Sequence, residues 1–241
     1  MHEYLPDACR ACYGYNMLCD FHTHTFLSDG ELSPIELARR ALVNGYAVLA
    51  IADHVGPGTC EATLRQVAAE CRVASAHWPL LAIPAVELTH VPAAGLADAA
   101  RQAKELGAVI VVAHGESIVE PVEPGTNLAA LRCPDVDILA HPGMLTEVEA
   151  ELAAANGIFL ELSARKGHSL TNGLVYRFGR KAGARFLVNA DGHAPGDLLT
   201  AEWARKVALG AGLDAEGARV VLEENPGLLL NRVGLRLPTV R

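Results

Sequence analysis

Seven short apolar segments recur along this sequence, and a segment rich in helix-forming residues follows each of them. The apolar segments are residues 17–21, 47–52, 80–86, 108–113, 136–140, 158–162 and 185–189. This alternation is typical of parallel strands that are joined by right-handed helical crossovers. Seven such units predict a single-domain α/β fold, a distorted (β/α)7 barrel related to the eight-unit TIM barrel. An open doubly wound sheet is the alternative, and it is disfavoured because no Gly-rich dinucleotide motif follows the first strand.

The segments between the strands carry the residues that start and stop helices. Ser33 can cap a helix whose first residue is Pro34, and Gly45 is placed to end it. The predicted helices span residues 34–44, 59–77, 94–106, 127–133, 147–156, 172–183, 200–210 and 214–223. No repeat or linker divides the sequence after residue 16, so residues 17–241 are expected to form one domain.

Residues 1–16 are predicted to form an irregular N-terminal segment. Cys9 and Cys12 within it have a spacing that suits half of a zinc site, but no second pair of this kind occurs. Ordinary free thiols are therefore the expectation for both. Neither a secretory signal nor an apolar run long enough to span a membrane is found, which predicts a cytoplasmic protein with reduced thiols.

The chain is acidic, with 28 Asp and Glu residues against 20 Lys and Arg residues and a formal net charge of -8. Broad binding to nucleic acids or to anionic membranes normally requires a basic surface. The composition therefore argues against nucleic acid and membrane as partners. It leaves the oligomeric state open.

Nearly every predicted strand ends beside a histidine or a carboxylate. His22 and His24 come at the end of the first strand, where side chains two positions apart face the same way. In parallel barrels the active site is built at the C-terminal ends of the strands. The candidate metal ligands at these ends are His22, His24, Asp29, His54, Glu87, His114, His141, Asp191 and His193. Imidazole and carboxylate ligands without thiolate suit Zn, Mn or Fe. Nine candidates exceed the three or four protein ligands of one catalytic ion, so two or three divalent ions are implied, with Glu87 as the natural bridging carboxylate.

Taken together, these motifs resemble those of the PHP (polymerase and histidinol phosphatase) family. The resemblance covers residues 17–232 and rests on His22-Thr23-His24, Ser28-Asp29-Gly30, Ala52-Asp53-His54, Val86-Glu87, His114, His141-Pro142 and Asp191-Gly192-His193. It implies a distorted (β/α)7 barrel, a trinuclear metal centre and a histidinol-phosphatase-like phosphoesterase activity.

The resemblance also implies how the ligands are shared among three ions. One ion would be held by His22, His24, Glu87 and Asp191, the second by Glu87, His114 and His141, and the third by His54 and His193 with Asp29 nearby. Many members of the family have a histidine where this chain has Asp29. Because Asp29 replaces this histidine, the difference from the family concerns the occupancy of the third metal site.

A basic cluster follows the sixth predicted strand, and the loop that carries it offers no obvious metal ligand. A guanidinium can hold phosphate oxygens through two hydrogen bonds, so Arg165 is the expected phosphate anchor. His168 is expected to donate a proton or a hydrogen bond to the phosphate or to the leaving oxygen, and Lys166 is a further candidate contact. A solvated basic turn is the alternative interpretation. The expected catalytic residues are therefore Glu87, Arg165 and His168.

Two residues beside predicted ligands leave their roles open. Asp53 precedes His54 and faces the other way on a strand, so it either orients an imidazole or caps a helix. His90, just after Glu87, is a candidate pocket residue that binds substrate.

The expected reaction is hydrolysis of a small-molecule phosphomonoester by a hydroxide that the metal ions generate at a multinuclear centre. A nuclease or phosphodiesterase on nucleotides or short oligonucleotides is one alternative, and the acidic charge disfavours it. A non-catalytic metal-bound module of a larger assembly is another, which the intact ligand set disfavours. An amidohydrolase-like barrel would require a lysine at a strand end, and none is found there.

Overall fold

Parallel strands surround a central axis in this computed structural model, which describes residues 17–238. The strands are β1 (Leu18–Asp20), β2 (Tyr46–Ile51), β3 (His54–Val55), β4 (Leu81–Leu88), β5 (Ile110–His114), β6 (Ile138–Ala140), β7 (Phe159–Ser163) and β8 (Phe186–Asn189). They pair in the order β1-β2-β4-β5-β6-β7-β8, all in parallel. The short strand β3 pairs with the far end of β4 and so continues the position of β2. The predicted distorted (β/α)7 barrel is confirmed, with seven strand positions.

Helices cover the outside of the barrel, and the last of them also contributes to the barrel interior. They are α1 (Pro34–Val43), α2 (Cys60–His77), α3 (Leu96–Glu105), α4 (Thr126–Leu131), α5 (Glu147–Asn156), α6 (Asn172–Ala182), α7 (Ala201–Gly210), α8 (Ala215–Arg219) and α9 (Asn225–Arg232). The Ser33 hydroxyl accepts a hydrogen bond from the backbone N–H of Glu36, so the predicted cap of α1 is confirmed. Within residues 17–238, no helix combines the length and apolar character needed to cross a membrane.

Two apolar layers stabilise the barrel. The larger layer lies between the strands and the surrounding helices, and the smaller one fills the barrel interior around Phe21 and Phe159. Leu229 and Leu230 of α9 join the interior layer, and Leu235 and Leu237 pack against it. Burying each such leucine fully contributes about 1.5–3 kcal/mol. The interior therefore has an apolar base that is independent of the polar residues at the C-terminal strand ends.

The barrel closes between β1 and β8 through few backbone contacts. Asn189 Oδ1 accepts a hydrogen bond from the backbone N–H of Phe21 at 3.0 Å, and the Asp20 carboxylate accepts one from the backbone N–H of Ala190 at 3.1 Å. Beyond the strands, the backbone N–H of His24 donates to the carbonyl of Gly192 at 2.9 Å. We call this junction of β1 and β8 the seam. Side chains supply much of the hydrogen bonding that a continuous ladder would otherwise provide.

The predicted irregular segment 1–16, with Cys9 and Cys12, lies outside the described residues. The other four cysteines are Cys19, Cys60, Cys71 and Cys133, and all four are buried free thiols.

Candidate metal centre

The nine predicted ligands all come together at the C-terminal end of the barrel. Two atoms that each lie about 2.1 Å from one ion can be at most about 4.2 Å apart. His22 Nε2 lies 3.2 Å from Glu87 Oε1, and His24 Nε2 lies 3.2 Å from Asp191 Oδ1 and 3.7 Å from Glu87 Oε2. His22, His24, Glu87 and Asp191 are therefore spaced as ligands of one shared ion.

A second group consists of Glu87, His114 and His141, whose ligand atoms lie within 4.8 Å of one another. His141 Nε2 is 3.5 Å from Glu87 Oε1. His114 Nδ1 lies 3.1 Å from the carbonyl of Gly115, so Nε2 is the ring nitrogen left for a metal ion. Because Glu87 belongs to both groups, it occupies the position that a bridging carboxylate would need.

A third group lies at the outer rim and contains His24, Asp29, His54 and His193. Asp29 Oδ1 lies 3.2 Å from His193 Nε2 and 3.5 Å from His54 Nε2. The Asp29 side chain is 56 % exposed, in contrast to the buried carboxylates of the first two groups. The aspartate therefore stands within reach of both histidines, and an ion at this third position would be the most accessible to solvent.

Unpaired polar atoms test whether this donor set fits metal ions. In the part of the chain that the structure describes, six buried side-chain atoms lack a hydrogen-bond partner: His22 Nε2, both ring nitrogens of His24, Glu87 Oε1, His141 Nδ1 and Glu161 Oε1. Leaving one such atom unpaired costs about 1–3 kcal/mol. All six belong to this cluster, and bound cations would give partners to the lone pairs that point into it. The imidazole and carboxylate donors therefore fit one or more divalent ions.

Backbone strain is concentrated at the same residues. His90, His141 and Asp191 have φ angles of 52°, 26° and 49°, and they are the non-glycine residues with positive φ among residues 17–238. Such conformations cost on the order of 1–3 kcal/mol each and are commonly retained where function requires them. At His141 and Asp191 the strained backbone directs a predicted ligand into the cluster.

Sequence reasoning missed Glu161, which lies inside β7 and is completely buried. Its Oε2 accepts a hydrogen bond from His22 Nδ1 at 2.7 Å and from the Asn189 amide at 2.9 Å. A carboxylate on the second ring nitrogen fixes the orientation of a metal-binding imidazole. The signal was present in the sequence, because a lone glutamate interrupts the apolar run Phe159–Ser163 just as Glu87 interrupts β4.

The charges of these buried groups depend on one another. Burial disfavours the charged form of His22, but Glu87 and Glu161 outweigh it and raise the pKa of His22 well above its ordinary value. Burial would raise the pKa of Glu161, but His22 outweighs it and lowers that pKa to about 2. Burial, with His54 and His22 nearby, lowers the pKa of His24 well below its ordinary value, which favours the neutral imidazole that a metal ion requires.

The predicted substrate-binding residues lie around the rim in different surroundings. Arg165 Nη1 donates to the backbone carbonyl of Asp191 at 3.0 Å and lies 2.6 Å from His193 Nδ1. Lys166 is exposed, and so is His90, whose ring centroid is 5.3 Å from that of His114. Arg165 is therefore in direct contact with the ligand cluster, whereas Lys166 and His90 lie farther out.

His168 is buried and lies inside the cluster rather than at its edge. Its Nδ1 is 2.6 Å from the Ser117 hydroxyl, and its Nε2 is 3.8 Å from Asp191 Oδ2. Burial, followed by the nearby His141, lowers the pKa of His168 to about 4. With His141 and Asp191 it forms a further group of potential ligands.

Glu120 is the second site residue that sequence reasoning missed. Its Oε2 lies 2.7 Å from His114 Nε2, and its Oε1 lies 3.4 Å from His168 Nε2. The hydrogen bond from His114 is the main reason why the pKa of Glu120 falls to about 2. Two other acids of the same loop face the backbone instead, because Glu116 accepts hydrogen bonds from Gly125 and Asn127, and Glu123 accepts one from Ala93. No sequence signal separates Glu120 from these two.

Asp53 has neither of the two roles expected for it. Its Oδ1 accepts hydrogen bonds from the backbone N–H of Thr25 at 2.6 Å and from the Ser28 hydroxyl at 2.7 Å. Its Oδ2 accepts a hydrogen bond from the Thr25 hydroxyl at 2.7 Å. Asp53 thus holds the turn that carries Asp29, instead of orienting an imidazole or capping a helix.

Three known proteins are similar to this chain in sequence, and two of them are probable phosphatases. No family model matches the sequence. An uncharacterized protein of Methanocaldococcus jannaschii is 44% identical over 218 residues, which cover 90% of this chain and 100% of that protein. Probable phosphatases of Thermoanaerobacter sp. and Thermoanaerobacter pseudethanolicus are each 30% identical over 216 residues, which cover 82% of this chain and 87% of each relative.

Among solved structures, a chain in the cryo-EM structure of archaeal ribonuclease P with mature tRNA superposes with a TM-score of 0.62. It is 14% identical, and the match covers 92% of this chain and 96% of that chain. At this level of identity, the likeness shows a shared fold.

Proposed function

This chain belongs to the same family as the probable phosphatases of Thermoanaerobacter, and from that premise we propose that it is a metal-dependent phosphoesterase acting on a small phosphomonoester. The observation that carries the proposal is the buried cluster around Glu87, in which histidine and carboxylate atoms lie at ligand spacing and in which His22 Nε2, His24 Nε2 and Glu87 Oε1 have no hydrogen-bond partner. Divalent ions held by these residues would supply the positive charge that phosphoester hydrolysis needs, because negative charge develops on the phosphate oxygens in the transition state.

We assign the cluster two or three divalent ions of Zn, Mn or Fe. His22, His24, Glu87 and Asp191 would hold the first, and Glu87, His114 and His141 the second. His54 and His193, with Asp29, would hold the third. When bound, such ions supply Lewis-acid chemistry, which neutralises phosphate oxygens and lowers the pKa of an attacking water.

The protein's own residues would orient the substrate around that centre. Arg165 is in contact with Asp191 and His193, so its guanidinium is next to the place where a phosphoryl group would sit. Holding the phosphate oxygens there would fix the direction of attack. His168 has one ring nitrogen paired with Ser117, and its other nitrogen can donate a hydrogen bond to the phosphate or the leaving oxygen.

A nuclease is the competing function. A protein that follows a nucleic-acid backbone usually presents basic residues, whereas this chain has a formal net charge of -8. Its low content of aromatic residues, 5%, also disfavours a surface on which successive bases stack. The archaeal ribonuclease P chain shares the barrel fold at 14% identity, and a shared fold does not indicate a shared substrate.

A side-by-side substrate assay tests the proposal. With the same metal loading, we expect higher kcat/KM on p-nitrophenyl phosphate, sugar phosphates, nucleoside monophosphates or histidinol phosphate than on a diester analogue or labelled single-stranded RNA and DNA. The physical reason is that one cluster of positive groups matches one dianionic phosphate. A clear preference for the diester or an oligonucleotide would replace the phosphatase proposal with the nuclease. If no substrate of the panel is hydrolysed, the remaining interpretation is a non-catalytic metal-bound module.

Metal content is the second prediction. Elemental analysis of the purified protein after reconstitution should give two to three divalent ions per chain, because the cluster offers three overlapping groups of ligands. The content should fall as the pH is lowered, since protons compete for the imidazoles and carboxylates. Fewer than one ion per chain at neutral pH would contradict the multinuclear assignment.

A further inference from the structure

A cleft opens beside the metal centre and is larger than a phosphate group requires. Its volume is about 530 Å³, and Arg165, Lys166, His193, Gly196, Asp197 and Trp203 lie along its walls. Pockets that bind small organic molecules usually measure about 300–1,000 Å³. We call this space the Trp203 cleft. It has room for a leaving group with a ring.

Trp203 differs from the other tryptophan of the chain in its exposure. The chain has two tryptophans, and Trp78 packs against the apolar layer outside the strands, whereas Trp203 is 50 % exposed. Its backbone N–H donates to the Thr200 hydroxyl at 3.1 Å, so the N-terminal cap of α7 fixes the backbone at this residue. A large apolar ring that lies half in water at the wall of a cleft offers a flat surface to a ligand.

The cleft and the metal centre share two residues. Arg165 and His193 line the cleft, and both also contact Asp191 in the ligand cluster. A phosphoryl group beside Arg165 would therefore leave the rest of its ester next to the cleft. The carboxylate of Asp197 is already engaged, because its Oδ2 accepts hydrogen bonds from the backbone N–H groups of His193 and Ala194 at 3.0 and 2.9 Å.

We propose that Trp203 binds a flat aromatic or heteroaromatic ring in the leaving group of the substrate. The inference rests on the proposed function, because it takes the phosphoryl group to lie at the metal centre. Among phosphomonoesters, the enzyme would prefer an alcohol phosphate with a planar ring in its leaving group to one with a saturated or acyclic leaving group. Stacking of one ring on an aromatic side chain changes binding by roughly 5- to 150-fold.

A matched pair of substrates tests this choice. Benzyl phosphate and cyclohexylmethyl phosphate are esters of primary alcohols of similar size, and only the first has a planar ring. We expect Trp203→Ala to lower the ratio of kcat/KM for the benzyl over the cyclohexylmethyl ester roughly 5- to 150-fold, mainly through KM. Trp203→Phe keeps a flat ring and should retain most of the ratio. An unchanged ratio in Trp203→Ala would overturn the proposal while leaving the phosphatase intact.

A binding measurement separates this inference from the proposed function. In a Trp78→Phe background Trp203 is the single tryptophan, so its fluorescence reports directly on the cleft. Metal-loaded protein is titrated with adenosine, and D-ribose serves as the control without a planar ring. We expect saturable quenching by adenosine alone; equal responses to both, or none, would contradict stacking. If no phosphomonoester is hydrolysed, the proposed function fails, and the titration still decides whether the cleft binds planar rings. Circular dichroism and metal content equal to those of the unmodified protein verify that each variant is folded.

Discussion

Replacing Glu87 with Gln is expected to remove the two ions that it would bridge and to lower kcat/KM by about 1,000-fold or more, equivalent to about 4 kcal/mol of transition-state stabilisation. The side chain is fully buried, and its two oxygens lie 3.2 Å from His22 Nε2 and 2.6 Å from His54 Nδ1. Burial alone would favour the neutral carboxyl, but His22, His54 and His114 outweigh it and keep the pKa of Glu87 well below its usual range. Glutamine keeps the shape and removes the charge that the cations need.

The measurement is elemental analysis together with steady-state kinetics, for Glu87→Gln and for Glu87→Ala. Glu151→Gln makes the same chemical change on the exposed side of α5 and serves as the control. The fold should survive in all three variants, because the apolar base of the barrel does not depend on this residue. Normal metal content and turnover in Glu87→Ala would show that the bridging assignment is wrong.

Removing the guanidinium of Arg165 should have the next largest effect. A charged contact through two hydrogen bonds in a partly dry site contributes about 2–4 kcal/mol, so Arg165→Ala should lower kcat/KM roughly 30- to 1,000-fold. Arg165→Lys keeps the charge without the planar pair of donors and should recover only part of this loss. Arg72→Ala, at an exposed position on α2, is the matched control.

Metal analysis of the same Arg165 variants distinguishes two ways of acting. If Arg165 holds phosphate, the ion content of Arg165→Ala stays close to normal while kcat/KM falls. Because Arg165 also contacts Asp191 and His193, a parallel loss of metal would show instead that it positions these ligands. If neither quantity changes, the phosphate anchor lies elsewhere, with Lys166 and His168 as the next candidates.

The barrel and the ligand cluster could be predicted because both follow from backbone geometry. Parallel strands place their C-terminal ends at one rim whatever their side chains are, so a histidine or carboxylate at each end must approach the others. Alternation of side chains along a strand then explains why His22 and His24 share a face. The same rule applies to Glu161, which lies two residues after Phe159 of the interior layer and so faces the barrel interior, where it contacts His22.

Residues whose position depends on the path of a loop could not be predicted in this way. Glu120 reaches His114 because the loop after β5 folds back, and its neighbours Glu116 and Glu123 hold that loop through backbone hydrogen bonds. Asp53 is similar, since its partners Thr25 and Ser28 are distant in sequence and belong to a turn. These contacts are made by packing between segments, which residue spacing does not encode.

The seam has a consequence for the lifetime of the protein. His22 and His24 follow β1, whereas Asp191 and His193 follow β8, so the first group of ligands comes from both sides of the junction. An ion held there would link the first and last strands, and it would stabilise the closed barrel according to its concentration relative to its dissociation constant. Without such a link, β1 and β8 form the part of the ring with the fewest backbone hydrogen bonds, where transient opening costs the least free energy. The metal concentration would then determine how often this junction opens to proteases. The metal-loaded, active form would therefore also be the form that resists proteolysis.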